Sequence, residues 1–495
     1  MKFSTLMIPL FALAGLVGVA PLSARAELKL PAIFGDNMVL QQQQRVPVWG
    51  WSTPGAPVTV SFAGQTVKTT AAKDGKWLVK LGKLTASFTP QTLVVESGET
   101  RTLTNVLVGE VWLASGQSNM EKPVGKQPGQ KPTLNAEQDI AAANYPGIRL
   151  FLAEKALSAT PLDDLTKFKP WQPCSPATLD GMHFSAAAYF FGREIHTNLN
   201  VPVGLIESSW GGTRIEPWTP PAGFDLVPAL HSLGTPTTAT NKIPNTTPTV
   251  LYNAMIAPLV GFGLRGALWY QGESNCSGTN HDDFITYADK MTALVGGWRK
   301  LWHQGDFAFY FVQIAPFKYY GGKMKRTPSA ETLPEFWELQ ARAARHIKNA
   351  GMAITTDLVD NLDDIHPRDK ASVGHRLALL ARHQTYGQKA VVSSGPTFRK
   401  FKIVDGKALV KFDHADGGLL ARDAQPLTWF TIAGADGKFV PAQATIVDDN
   451  TVEVSAAEVA APVAVRFAWA ETAQPNFYNE AGLPAEPFRS DAPRK

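Results

Sequence analysis

Between residues 106 and 388, apolar runs of strand length alternate with longer stretches of helix length. This alternation limits the possible folds more than any other feature of the chain. The runs at 106–114, 148–152, 203–207, 266–270, 307–314 and 352–356 read as strands, and those at 185–197, 284–302, 334–348 and 370–386 read as helices. Strands alternating with helices imply an α/β fold, a parallel sheet with helices on both faces. In such sheets, sites form where loops leave the C-terminal ends of the strands.

The flanks have a different rhythm. From 27 to 105 and from 389 to 495, short alternating runs are separated by Pro-Gly, Ala-Gly and Asp-Gly turns, as expected of antiparallel β-sandwich-like regions. The expected organisation is therefore a leader at 1–26, a β region at 27–105, a central domain at 106–388 and a C-terminal β-rich region at 389–495. The leader has a positive start at Lys2, an apolar run at 6–19 and a small-x-small cleavage site at Ala24-Arg25-Ala26, which together read as an export signal. Export to the periplasm or beyond would permit a disulfide between the two cysteines, Cys174 and Cys276; their spacing leaves this open. A net charge of only +4 with no dense Lys/Arg block argues against a nucleic-acid partner. No second apolar run suggests a membrane span after signal removal. Of the 13 tryptophans, most are expected in the core, and two or three are expected to line a sugar site.

Four stretches follow expected strands and would meet at one sheet edge. The first is Ser115-Gly116-Gln117-Ser118-Asn119, a Gly-containing turn that can hold a hydroxyl at the rim or simply cap a helix. Met120 stands where the nucleophile elbow of α/β-hydrolases has its last glycine, so that motif is absent. The second is Asp363-Asp364-Ile365-His366, where a carboxylate shares a loop with an imidazole that it can orient. The third, Trp210-Gly211-Gly212-Thr213, and the fourth, Gln271-Gly272-Glu273-Ser274-Asn275, can supply N–H donors to a developing oxyanion.

The blocks at 109–120, 210–218, 251–258, 266–275 and 364–367, in this order, resemble those of the sialate O-acetylesterase family, a branch of the SGNH hydrolases. The resemblance implies a three-layer, flavodoxin-like SGNH sheet and a serine O-acetylesterase acting on an acetylated carbohydrate, with no metal or other cofactor. It implies Ser118 as nucleophile and His366 as base. Superfamily spacing favours Asp363 as the orienting acid, whereas the family often carries the acid where Asp364 stands. The implied oxyanion donors are the N–H of Ser118, an N–H of Gly212 (or Gly211) and the side-chain amide of Gln271; Arg214, Glu273 and Asn119 are expected near the substrate. An acetylesterase on plant hemicellulose such as xylan or xyloglucan would use the same chemistry. A non-catalytic sugar-binding protein would be expected to lack some of these residues, and here all are in place.

Overall fold

The computed structural model describes residues 1–2, 28–235, 244–278, 284–322 and 325–491. The leader's apolar run and cleavage site, and part of the Thr/Pro-rich segment at 235–249, lie outside the described residues. Among the described residues, no helix is long and apolar enough to cross a membrane.

One strand organises the molecule. Six strands precede it: β1 (Val39–Gln41), β2 (Val46–Trp51), β3 (Pro57–Phe62), β4 (Gln65–Thr70), β5 (Lys76–Leu81) and β6 (Ser87–Glu96). The long strand β7 (Thr100–Gly116) is exposed at its start and buried at every residue from Val106 on. Its first half pairs antiparallel with β6, and β1 runs parallel beside it. Its second half is the centre of the main sheet, which adds β8 (Tyr145–Ala153), β9 (Phe168–Cys174), β10 (Val203–Ser209), β11 (Gly266–Tyr270), β12 (Ala308–Val312) and β13 (Ala350–Ala353). The order is β13-β12-β11-β7-β10-β8-β9, with every pairing parallel except β8–β9. The expected boundary at 105/106 thus falls inside one continuous strand. The change from alternating to unbroken apolar sequence marks a change in what covers β7, not a break in it.

Period-two alternation sorts the strand residues onto two faces. Trp112, Leu268 and Tyr310 face the helices Ala186–Leu199 and Lys370–Leu380. Leu113, Trp269 and Phe309 face the helices Tyr287–Trp302 and Thr332–His346. The same second core runs on into Val48, Val60, Val79 and Val95 of the N-terminal β region, so sheet and flank share one apolar interior. Fully buried tryptophans dominate it. Trp218, Trp269 and Trp298 stack edge to face at centroid distances of 6.3 and 6.1 Å, a geometry worth about 0.5–1.5 kcal/mol per pair beyond burial.

The two helices on the Trp112 face start at side-chain caps. Asp369 accepts from the N–H of Ser372 at 2.9 Å, and Ser185 from that of Ala188 at 3.2 Å. The C-terminal β region has its own core, around Val410, Phe412, Val452, Val465 and Phe467. It also grips the loop after β13: Tyr478 donates to Asp357 Oδ2 at 2.8 Å and Gln474 to the Val359 carbonyl at 2.7 Å. The sixth expected strand, 352–356, is in fact 350–353, because the chain leaves the sheet at Ile354 to begin that loop. Strand β9 was not anticipated; it is a half-exposed antiparallel edge whose sequence, with Pro170 and Pro173, reads as a loop. Cys174 and Cys276 are both buried and unbonded, and burial pushes the Cys174 thiol up to about 12.

Gly116 ends β7 with φ +140°, and a Cβ there would lie 2.2 Å from the Tyr270 carbonyl oxygen of β11. Gly116→Ala is therefore expected to destabilise the fold by about 1–3 kcal/mol through backbone strain alone. Urea unfolding of the two proteins checks this; equal midpoints would show that the turn relaxes freely.

Candidate active site

Four loops leave the C-terminal ends of β7, β10, β11 and β13 and converge at one rim. The first carries Ser118, the opening residue of the short helix Ser118–Glu121. Ser118 Oγ lies 2.9 Å from His366 Nε2, across 248 residues of chain. As the first helical residue, Ser118 has an N–H with no intrahelical acceptor, and it finds none among the described residues.

His366 is held from within its own loop. Asp364 Oδ1 accepts from the His366 backbone N–H at 2.9 Å and stands 3.6 Å from Nδ1, in ion-pair reach but beyond hydrogen-bond length. Asp363, the acid favoured by spacing, points elsewhere. Its oxygens accept from Lys318 Nζ at 3.1 and 3.0 Å, and its side chain is 67% exposed. The cause is local: Asn361 Oδ1 accepts from the Asp363 N–H at 3.0 Å, a turn that directs residue 363 outward and residue 364 inward.

Gln271 does not face the open site. It is fully buried, and its amide nitrogen donates to Asn275 Oδ1 at 2.8 Å and to Gln117 Oε1 and the Thr213 carbonyl at 3.1 Å. Its oxygen accepts from Tyr287 OH at 2.9 Å. The expected oxyanion donor is therefore an internal brace with no N–H to spare. In the β10 loop, the Gly211 N–H is taken by Glu121 Oε2 at 2.6 Å, whereas that of Gly212, at φ +76°, has no acceptor among the described residues. This loop lies against Ser118: a Cβ on Gly211 would stand 3.1 Å from Ser118 Cβ.

Asn119 and Glu273 were expected to contact substrate, but their exposures of 0 and 2% rule this out in the present conformation. They form the floor of the site instead. Asn119 Nδ2 donates to Glu273 Oε1 and to the Ile365 carbonyl, and its Oδ1 accepts from Lys370 Nζ at 2.8 Å. Arg214 is half-buried on the β10 loop, with its guanidinium near Gly278 of the β11 loop. His281, Asp282 and Asp283 lie outside the described residues.

Sequence reasoning missed three residues. Gln117 accepts from the Ser274 N–H at 3.2 Å and clamps the β11 loop to the Ser118 turn. Asn275 joins the β10 and β11 loops: it accepts from the Ile215 N–H at 3.0 Å and donates to Glu216, which itself pairs with buried Lys290 at 2.6 Å. Lys370, fully buried, also lies over the Tyr270 ring at 5.0 Å. A cation at the first position of a helix opposes the helix dipole, and that was the available signal.

These charges set the protonation of the rim. Burial, and then the Lys370 ammonium, push His366 down to about 4, so its ring is neutral and able to accept a proton through most of the pH range. Burial and Lys122 push Lys370 itself down to about 7, while burial raises Glu273. A serine hydroxyl beside a neutral, oriented imidazole, with two uncommitted N–H groups, can perform nucleophilic acyl transfer.

The chain is similar to known carbohydrate esterases. The family described as "Carbohydrate esterase, sialic acid-specific acetylesterase" matches residues 108–382. The sialate O-acetylesterase of Mus musculus is 30% identical, with 94% of this chain and 95% of that protein aligned. The sialate O-acetylesterase of Homo sapiens is 29% identical, over 94% and 93%. The crystal structure of a carbohydrate acetylesterase from Xanthomonas citri superposes with a TM-score of 0.83 at 37% identity, covering 94% of this chain and 100% of that one.

The ionisation of His366 provides a test of the buried floor. Its midpoint is expected near 4, and Lys370→Met should move it upward toward the ordinary 6.5, because removing a neighbouring cation favours the imidazolium. NMR titration of the imidazole carbons measures both. An unchanged midpoint would mean that Lys370 exerts no electrostatic effect on the ring.

Proposed function

The chain belongs to the sialic acid-specific acetylesterase family of carbohydrate esterases, and on that premise we propose that it hydrolyses O-acetyl esters of sugars with Ser118 as nucleophile, His366 as general base and Asp364 as orienting acid. The observation that carries the reading is the 2.9 Å contact between Ser118 Oγ and His366 Nε2 at the rim where four strand ends meet. We read the sheet, with a helix pair on each face, as the three-layer SGNH arrangement. The division at 105/106 and 388/389 is kept as one of sequence character. The leader read at 1–26 assigns the activity to the periplasm or the exterior.

In the reaction, Ser118 Oγ attacks the acetyl carbonyl carbon as His366 Nε2 takes its proton. The carbonyl oxygen becomes an oxyanion that the N–H groups of Ser118 and Gly212 are placed to receive, each such donor being worth about 2.7–4 kcal/mol. The intermediate collapses, the sugar oxygen leaves with the proton from His366, and acetyl remains on Ser118. Water, deprotonated by the same imidazole, then attacks the acetyl carbonyl; Ser118 Oγ leaves and takes that proton back from His366, and acetate is released. Asp364 holds the ring and favours the transient imidazolium.

The leaving sugar is read as acidic. A cleft of about 520 Å³ is lined by Lys155, Lys167 and Lys169 together with Glu154 and Glu121, which pairs with Lys155, and it borders the Ser118 turn through Glu121. Burial pushes Glu207, also in its wall, up to about 8, so at neutral pH it adds little negative charge. With Glu121 and Glu154 set against two of the lysines, one lysine is left in excess, and that charge suits a sugar carboxylate better than the uncharged backbone of xylan or xyloglucan.

Two expectations follow. Ser118→Ala should abolish 4-nitrophenyl acetate hydrolysis by a factor on the order of 10⁴–10⁶. Asp364→Asn should lower kcat about tenfold or more, while Asp363→Asn, which breaks only an exposed pair, stays within about twofold; the opposite ranking would restore Asp363 as the acid. On purified enzyme, O-acetyl sialic acid is expected to be cleaved with a higher kcat/KM than acetylated xylo-oligosaccharides. Equal or reversed preference would overturn the acidic-sugar reading without touching the serine mechanism.

A further inference from the structure

We propose that the groove between the β2–β5 ladder and the end of the Tyr287–Trp302 helix is a second, non-catalytic glycan site that takes an acidic oligosaccharide. The register pairs Pro47 with Lys80, Trp49 with Leu78 and Trp51 with Lys76. Alternation sends the valines and Leu81 into the core, so these six residues form the outer face of the ladder. A solvent-facing ladder is usually polar. This one presents two half-buried indoles, a proline and a leucine that is 51% exposed.

Across from that face stand Val260, Gly261, Leu301 and Trp302, and the space enclosed is about 810 Å³, within the roughly 300–1,000 Å³ of small-ligand pockets. Flat indole faces and aliphatic edges are the surface that stacks against the apolar faces of pyranose rings. A groove left over between two packed regions would need no more than this, but a further observation points to a ligand.

That observation is charge. Arg45, Lys80 and His303 stand in the lining, and neither Arg45 nor Lys80 has an acidic partner among the described residues. The lining's one carboxylate, Asp163, is already paired with Lys76 at 2.8 Å. The groove is therefore cationic and matches a glycan carrying carboxylates. It is also remote from Ser118: Val260 and Gly261 precede β11 in the chain, which places the groove at the N-terminal rim of the sheet, whereas Ser118 is at the C-terminal rim. Two sites on one rigid body would raise the local concentration of a polymeric substrate at the catalytic rim.

The test is calorimetric titration of the whole chain with tri-galacturonate and with neutral xylotriose at low salt. Binding of tri-galacturonate only is expected, weakened about tenfold or more by Lys80→Glu and by Trp49→Ala, with 4-nitrophenyl acetate turnover within about twofold of wild type. Lys80 is exposed, so Lys80→Glu keeps the test decisive even if Trp49→Ala, which removes an edge-on contact to Phe34 at 4.7 Å, impairs folding. No binding of tri-galacturonate, equal binding of xylotriose, or an affinity unaffected by Lys80→Glu would each overturn the proposal.

Discussion

The site depends on one carboxamide. Asn119 touches three separate loops: its nitrogen holds Glu273 of the β11 loop and the Ile365 carbonyl next to His366, and its oxygen holds Lys370 at the start of the following helix. Because it follows Ser118 directly, it fixes Ser118 and His366 relative to each other from below. The cost is a buried ion-bearing cluster, tolerable only while its hydrogen bonds stay satisfied. Glu273 Oε2 is the exception, a buried oxygen with no partner among the described residues. The cluster trades stability for geometry in the one place where a shift of an ångström would separate Ser118 from His366.

Around that floor, the molecule braces the loops from outside. Gln271, Gln117 and Asn275 lock the β10 and β11 loops into one network. The C-terminal β region holds the loop carrying His366 through Tyr478 and Gln474, so a region with its own core still helps to define the catalytic rim. Its paired Arg489–Glu338 and Arg345–Glu486 contacts tie it to the same helix, Thr332–His346.

The parts of the fold written in local pattern were legible in the sequence. Strand 266–270 emerged with its expected bounds, because it is short, apolar and flanked by turn residues. The meeting of Ser118 and His366 was legible because each follows a parallel strand of one sheet and one loop carries both a carboxylate and the imidazole. What could not be read was the direction of side chains within loops. Asp363 and Asp364 differ only by an Asx turn set by Asn361, and Gln271 and Glu273 point inward because of partners far away in sequence. The start of β7 was lost for a related reason: exposed Thr100–Asn105 and buried Val106–Gly116 look like two elements, although the backbone is one.

That single backbone bears on how the chain is made. β6 and β1 are available to β7 as far as Gly109, but Glu110–Gly116 must wait for β10, beginning at Val203, and β11, beginning at Gly266. Until those residues emerge, the nascent chain carries an apolar segment with both edges unpaired, the kind of template on which chains self-associate. The window for such association stays open for as long as the middle of the chain is still missing.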